Sequence, residues 1–434
     1  MKIVVIGLGY LGATHASCMA QLGHDVLGVE VDEDRRQSLQ AGLLPFYEPG
    51  LSEMLREQLD AGNLRITSSY QEAAEWGEAF FIAVGTPQRK GENAADLRFV
   101  DQAVDTLVPL LTRNALIIGK STVPVGTSSR LSDRAAAHAK DDVRVEVAWN
   151  PEFLREGHAI DDTLTPDRLV LGVDGEGIAE RLIRTIYAPL IDRGTPLLVM
   201  DTASAEMVKV AANSFLATKI SFINAIAEVC EAAGADVRSV AEAIGHDDRI
   251  GPKFLNAGLG FGGGCLPKDI RAFMARAGEL GASEALAFLR EVDNVNMRRR
   301  ERVVDVAKKH FGGVLIGRRV AVWGAAFKPN SDDVRDSPAL SVAGQLQLRG
   351  ASVTVYDPKA MAQSAKVFPT LQYANSSIDA CDQAELLLVL TEWPEFVSCS
   401  PSRLNPYVRQ RVVFDGRNCL DRSLWENAGW KYIT

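Results

Sequence analysis

The stretch GFGGGCLPKD at residues 260–269 places one cysteine, Cys265, between a run of glycines and Pro267, Lys268 and Asp269. Proline is favoured in the first helical turn, so the thiol is expected at a helix N-terminus, among exposed N–H groups that lower a thiol pKa. The glycines would let a substrate approach the backbone, and Asp269 falls about one turn beyond the sulfur. A buried structural cysteine is the plainer alternative. In MVKVAANSFLA, residues 207–217, Lys209 and Asn213 share one helix face at i, i+4 spacing, among Val208, Val210, Ala211 and Ala212. A buried cation and amide need a partner, and a developing oxyanion would be one, although most helical lysines are merely exposed. WNPEFLREG carries Glu152 and Glu156 at the same i, i+4 spacing, either a solvated helix face or carboxylates able to orient water and accept protons. The six histidines are scattered and suggest neither a base nor a ligand.

These groups require elements to position them. The run from Lys2 to Ile6, then Gly7-Leu-Gly9-Tyr-Leu-Gly12, a helical stretch to Leu22, Gly23 as its stop, and VLGVEVD ending near Glu30 read as strand, glycine turn, helix, strand. Such a unit sets a dinucleotide pyrophosphate on the helix N-terminus and its ribose on the acid, and Glu30 favours NAD over NADP because it would repel a 2′-phosphate. AFFIAVGTP, ALIIGKSTVP and VEVAWNP are further strands, so a parallel sheet is expected to about residue 199. Thr86, Thr122, Asn150 and Glu152 stand at strand ends, where open sheets bind ligands. The pattern is helical from about Ser204 to Ala233, and again from Arg271 to about Arg300. A helix of the first length connects domains or packs on its copy in a second subunit. RRVAVWG, SPALSVAGQLQLRG and VTVYDP then repeat strand, helix, strand and acid (Asp357), and ELLLVLT and RVVFDG add strands.

The expected fold class is α/β, with two Rossmann-like parallel-sheet domains joined by a helical central domain with a long connecting helix. The boundaries are 1–199 for the NAD-binding domain, 200–300 for the helical domain carrying the cysteine loop, and 315–434 for the C-terminal domain. A thiolate, an oxyanion-stabilising Lys/Asn pair, a carboxylate and NAD imply oxidation past the aldehyde: the thiol holds the aldehyde between two hydride transfers, and activated water releases an acid.

Length and composition agree. A chain of 434 residues with 47% apolar residues has material for two or three cores, and a net charge of −9 argues against nucleic-acid or membrane-surface partners. The six cysteines form no CxxC pair or zinc-like spacing, so no disulfide or metal framework is expected. Cys18 and Cys230 lie on apolar helical patterns and belong to the core. The apolar start lacks a small-residue cleavage site and no uncharged apolar run reaches about 18 residues, so a cytoplasmic protein is expected.

IGLGYLG, VGTP, KSTVPVGT, NPEFLREG, KVAANSFLA, RIGPKFLNAGLGFGGGCLPKD and FKPNSDDVRDSP occur in this order along the chain. With them the chain resembles the UDP-glucose/GDP-mannose dehydrogenase family over essentially its whole length. The resemblance implies Cys265 as nucleophile, Lys209 and Asn213 as oxyanion stabilisers, Asp269 in thioester hydrolysis, and Thr122, Glu152 and Glu156 in water and proton transfer. It implies NAD contacts from Gly7, Gly9, Tyr10, Leu11, Gly12, Glu30, Arg35, Thr86, Thr122, Glu156, Lys268 and Arg335. For the nucleotide sugar it implies Glu152, Phe153, Leu154, Lys209, Asn213, Phe254, Leu255, Gly262, Phe327, Lys328 and Arg417, with Arg249 reaching a neighbouring subunit's substrate. A homodimer or larger homo-oligomer with the long helix at its interface is implied. RIGPKFLNAG and TLTPDR are similar to the UDP-glucose branch, which makes UDP-glucose to UDP-glucuronate the first expectation and GDP-mannose or UDP-N-acetylhexosamines the alternatives. The chain departs from the family pattern at Gly264, where many relatives have serine, and at Thr14-His15, where an apolar pair is usual. A single-hydride hydroxy-acid type of dehydrogenase has no need of Cys265, and a catalytically silent sugar-nucleotide sensor would be expected to have lost one of Cys265, Lys209 or Asp269.

Overall fold

The β-branched run at the N-terminus becomes β1 (Lys2–Ile6), buried from Ile3 onward, in a computed structural model that describes residues 1–175 and 177–433. The chain divides into two compact units, Met1–Ala212 with Arg271–Gly281, and Asn213–Ile270 with Ala282–Thr434.

The first unit is built on an eight-stranded sheet of β1, β2 (Asp25–Val29), β3 (Leu64–Thr67), β4 (Ala79–Ile82), β5 (Ala115–Gly119), β6 (Val145–Trp149), β7 (Leu169–Gly172) and β8 (Leu197–Met200), in the order β3-β2-β1-β4-β5-β6-β7-β8. β1 pairs with β2 on one side and β4 on the other, which puts the switch in strand order, and the crevice it opens, at the carboxyl ends of β1 and β4. The central strands are buried on both faces and carry an apolar cluster on each, as parallel strands covered by helices require. The sheet reaches residue 200, but it is not parallel throughout. β7 pairs antiparallel to β6 through Trp149 and Gly172, and β8 follows β7 in parallel. Residues 150–168, with only the short helix Ala159–Leu164, turn back at the carboxyl end of β6 and do not cross over the sheet as a parallel connection must.

The second unit carries a six-stranded, wholly parallel sheet of β9 (Arg319–Trp323), β10 (Ser352–Tyr356), β11 (Gln372–Tyr373), β12 (Leu386–Val389), β13 (Val412–Asp415) and β14 (Lys431–Ile433), ordered β11-β10-β9-β12-β13-β14. Trp323 stacks on Phe396 with ring centroids 5.0 Å apart in its core. The helix Pro338–Leu348 is capped by Ser337, whose Oγ accepts from Leu340 N. Asp357, the acid of this second strand–helix–strand unit, accepts from Ala325 N at 2.8 Å, Ala326 N at 3.0 Å, Lys359 N and Ala360 N at 2.9 Å, and Trp393 Nε1 at 3.0 Å.

The long helix spans Thr202–Ala233, 32 residues. It has the length and apolar composition of a membrane span, yet Glu206, Lys209, Asn213 and Ser221 along it bond to other protein groups, as in a core helix. The helix expected from Arg271 to Arg300 is two helices, Leu266–Glu279 and Ala287–His310. Gly281, at φ 77°, terminates the first because a left-handed residue cannot continue it. Replacing Asp357 by Ala would strand buried donors and should cost the second unit about 3 kcal/mol, read as an earlier midpoint in denaturant with unchanged slope.

Candidate functional site

In the first unit the glycine turn is enforced by packing. Gly7 lies at φ 87°, and a Cβ on Gly12 would overlap the Gly7 carbonyl oxygen, so strand and helix can approach only with glycine at both places. A Cβ on Gly9 would meet nothing within 4 Å, and the helix Tyr10–Gln21 that follows it has no side-chain cap and no acidic residue in its first turn among the described residues. Its amides are thus directed at open space suited to a pyrophosphate. Glu30 is buried beside them and accepts from Leu8 N at 3.1 Å, Asp32 N at 3.0 Å and Arg35 Nη1 at 3.2 Å. These residues fit the dinucleotide expected of them. Leu11 packs on the core, and Tyr10 donates to Glu48, whose carboxylate also accepts from Gly157 N at 2.6 Å and Ala159 N at 2.8 Å. Burial, then Glu48, push the Tyr10 phenol far up, so it remains a donor. Tyr10 thereby ties the first helix to the segment that follows Glu156.

Thr86 and Thr122 stand at the ends of β4 and β5 and are joined by Thr86 Oγ1 donating to Thr122 O at 2.7 Å. Glu152 and Glu156 do not lie on a helix face: residues 151–158 are irregular, starting from Pro151 after β6 and reaching Gly157 at φ 80°. The expected i, i+4 relation therefore fails, and Glu152 instead accepts from Leu154 N at 2.7 Å. Lys209 Nζ meets Glu152 Oε1 at 2.9 Å, with side chains only 6% and 12% exposed. Phe153 lies between cations, its ring centroid 4.0 Å from the Arg168 guanidinium and 5.6 Å from Lys209 Nζ. Beneath this pair lies a group that the sequence reading overlooked within KSTVPVGT: Lys120, whose Nζ donates to Asn150 Oδ1 at 3.0 Å and lies 3.4 Å from Tyr187 OH. Burial pulls its pKa down to about 8, with Glu152 opposing and Lys209 adding to the fall. Thr14 is buried with its hydroxyl on Tyr10 O at 2.8 Å, and His15 packs on Phe81, kept neutral by burial.

In the second unit Cys265 is exposed and directly precedes the helix Leu266–Glu279, its carbonyl accepting the first helical bond from Asp269 N at 2.9 Å. The Asp269 carboxylate is buried and shared: Asn213 Nδ2 donates to Oδ2 at 2.6 Å and Lys268 Nζ to Oδ1 at 2.7 Å. Amide, lysine and carboxylate thus meet in the first turn of the helix that follows Cys265. The glycines before the thiol serve packing first. A Cβ on Gly262 would overlap the Asp336 carbonyl, one on Gly263 would come within 2.8 Å of the Phe327 ring, and one on Gly264 would fall inside the Arg335 guanidinium. The departure at Gly264 therefore seats Arg335, which also pairs with Asp333 at 2.7 Å. Lys328 Nζ lies 5.3 Å from the Phe327 ring centroid. Arg417 binds Leu390 O at 2.8 Å and both Gly260 O and Phe327 O at 3.1 Å, clamping the glycine loop. Leu255 is buried, and Phe254 holds φ 65°, a conformation uncommon for a bulky residue. Arg249 stands apart on an exposed turn, paired with Asp247 at 2.6 Å. No cluster of metal-ligating side chains occurs among the described residues.

Residues 1–191 match the NAD binding domain of the UDP-glucose/GDP-mannose dehydrogenase family, 203–298 its central domain and 321–422 its UDP binding domain. The chain is 40% identical to a UDP-glucose 6-dehydrogenase of Rhizobium meliloti (strain 1021), covering 100% of this chain and 99% of that protein, and 39% identical to one of Pseudomonas aeruginosa, covering 100% and 96%. Its fold superimposes on a UDP-glucose dehydrogenase from Pyrobaculum islandicum with a TM-score of 0.91 at 39% identity, covering 100% of this chain and 97% of that one. Gly262→Ala should cost about 2 kcal/mol because backbone stands in the way, whereas Gly264→Ser should cost under about 1 kcal/mol because the Arg335 side chain can swing aside; equilibrium unfolding of the two variants measures the difference.

Proposed function

Because the chain belongs to the UDP-glucose/GDP-mannose dehydrogenase family of NAD-dependent nucleotide-sugar dehydrogenases, we propose that it oxidises C6 of UDP-glucose by four electrons to give UDP-glucuronate. The observation that carries the mechanism is the Asn213–Asp269 hydrogen bond beside the helix that Cys265 begins. NAD, when bound, supplies the hydride acceptor for each two-electron step. In this reading residues 1–199 hold NAD through Gly7, Gly9, Tyr10, Leu11, Gly12, Glu30, Arg35 and Thr86. Residues 200–300 carry the thiol, and residues 315–434 hold the nucleotide through Phe327, Lys328 and Arg417.

The C6 alcohol loses a proton and a hydride to become an aldehyde. Cys265 Sγ adds to the aldehyde carbon, and Lys209 and Asn213 stabilise the oxyanion of the thiohemiacetal that forms. Loss of a second hydride leaves a thioester on Cys265. Water, deprotonated by a carboxylate among Asp269, Glu152 and Glu156 and oriented with Thr122, attacks the thioester carbon, and the C–S bond breaks to give the acid and the free thiol. Lys268 and Arg335 complete the cofactor contacts, and Phe153, Leu154, Phe254, Leu255 and Gly262 those of the sugar nucleotide. Limiting UDP-glucose with excess NAD should yield two NADH per sugar, and Cys265→Ala should leave no detectable uronate, measured by absorbance and mass spectrometry of the sugar. One NADH per sugar unchanged by the substitution would overturn the thioester route.

The same reading includes a homodimer built on the long helix, with Arg249 reaching the other subunit's substrate. Phe215, Phe222 and Val229, seven residues apart, are 66%, 51% and 64% exposed, an apolar stripe of the kind that a second copy covers. Phe222→Glu should shift the mass measured by light scattering from dimer to monomer.

A further inference from the structure

Three residues before Lys209, the long helix carries a carboxylate that none of the steps above uses. Glu206 is 2% exposed, and its two oxygens accept from Gly126 N at 2.7 Å and Ser128 N at 2.6 Å. Those amides open the helix Thr127–His138, whose N-cap is Gly126 at φ 94°, with no side chain to cap the helix itself. Glu206 thus supplies from another element the cap that a serine or aspartate would ordinarily supply locally.

We propose that Glu206 is a positioning residue for the oxidation proposed above, holding the Thr122–Thr127 turn in register with the helical turn that bears Lys209. Thr122 opens the turn that Glu206 closes, and Lys209 lies one helical turn beyond Glu206 and is fixed by Glu152. On the other flank Arg276 Nε donates to Val125 O at 2.9 Å, so the turn is gripped from both sides. A structural cap could be neutral. This one is ionisable, and its surroundings make its charge sensitive near neutrality.

Burial pushes the Glu206 pKa up to about 7; the Ser128 and Gly126 amides oppose the rise, Asp174 adds to it, and Arg276 lowers it. Asp174 is engaged by Thr202 N at 3.1 Å, and Arg276 by Glu279 at 2.7 Å. As pH falls through about 7 the carboxyl gains a proton and gives up full acceptor capacity on one oxygen, loosening one of the two amide bonds. The stability sign is opposite: an acid whose folded pKa is raised contributes most below its ordinary pKa, and that contribution is lost as pH rises through about 7. The ionised, turn-holding form is therefore retained against stability.

The test compares the full-length enzyme with Glu206→Gln and Glu206→Asp. Normalised amide exchange is followed over residues 120–130, and kcat and KM are measured between about pH 5.5 and 9. In the parent, kcat should fall on the acid side with an inflection near pH 7 while both KM values move less than about twofold. Glu206→Gln should lower kcat about tenfold at pH 8, remove the inflection, reduce protection of residues 120–130, and raise the melting temperature relative to the parent more at pH 8 than at pH 6. Wild-type kcat, pH profile or exchange in Glu206→Gln would overturn the proposal. If that variant does not fold, Glu206→Asp decides: a displaced inflection supports the role and an unmoved one overturns it. Exchange requires no substrate, so it decides the role of Glu206 even if UDP-glucose is not turned over, an outcome that would sink the substrate assignment by itself.

Discussion

A polar side chain on a buried helix must find a partner inside the protein, and the long helix Thr202–Ala233 has a series of them. Thr202 binds Asp174, Glu206 binds the amides of Gly126 and Ser128, and Lys209 binds Glu152, so three successive points on one helix fix three strand-end segments of the first unit. Within the second unit the same helix continues the pattern. Asn213 binds Asp269, Ser221 donates to Val292 O at 2.7 Å, and Asn224 accepts from Gly258 N at 2.8 Å. An unpaired buried polar group costs about 1–3 kcal/mol, so each partner is required where it stands. Lys209 in the first unit and Asn213 in the second are each held by that obligation.

The two parallel sheets show how one plan is used differently. In both, a strand ends in an acid that turns back toward the first loop. Glu30 binds the loop amide Leu8 N and keeps a guanidinium beside it, close to a glycine turn that opens onto free space. Asp357 is enclosed by five donors, and Gly324 of its loop packs against Thr391. The first acid lies beside an open glycine turn, whereas the second holds its own loops together. This fits the absence of the three-glycine pattern from the second turn.

What the sequence made legible was local. The glycine turn, the helix that begins after Cys265, the Lys209/Asn213 spacing and most strands follow from residue types a few positions apart. The misreadings arose where local spacing was overridden. Glu152 and Glu156 look helical at i, i+4, but Pro151 and Gly157 hold the segment irregular, and the return of the chain at the end of β6 reverses β7, where a parallel sheet is expected from the sequence. Glu48, Glu206, Lys120 and Tyr187 went unnoticed because their partners lie 30 to 111 residues away. A lone acid or lysine in a sequence carries no mark of such a partner.

The glycines before Cys265 bear on how variation in this loop is to be understood. Each is flanked by the chain's own atoms, Asp336 and Pro338 at Gly262, Phe327 at Gly263 and Arg335 at Gly264. Change is therefore tolerated position by position according to what a methyl group would strike. Where the obstacle is backbone, the fold by itself is enough to forbid a larger residue. Where it is a guanidinium on a flexible stem, lineages are free to trade glycine for serine if the arginine moves with it. The loop before the thiol thus carries a steric boundary at Gly262 and a movable one at Gly264, where any side chain must displace the Arg335 guanidinium.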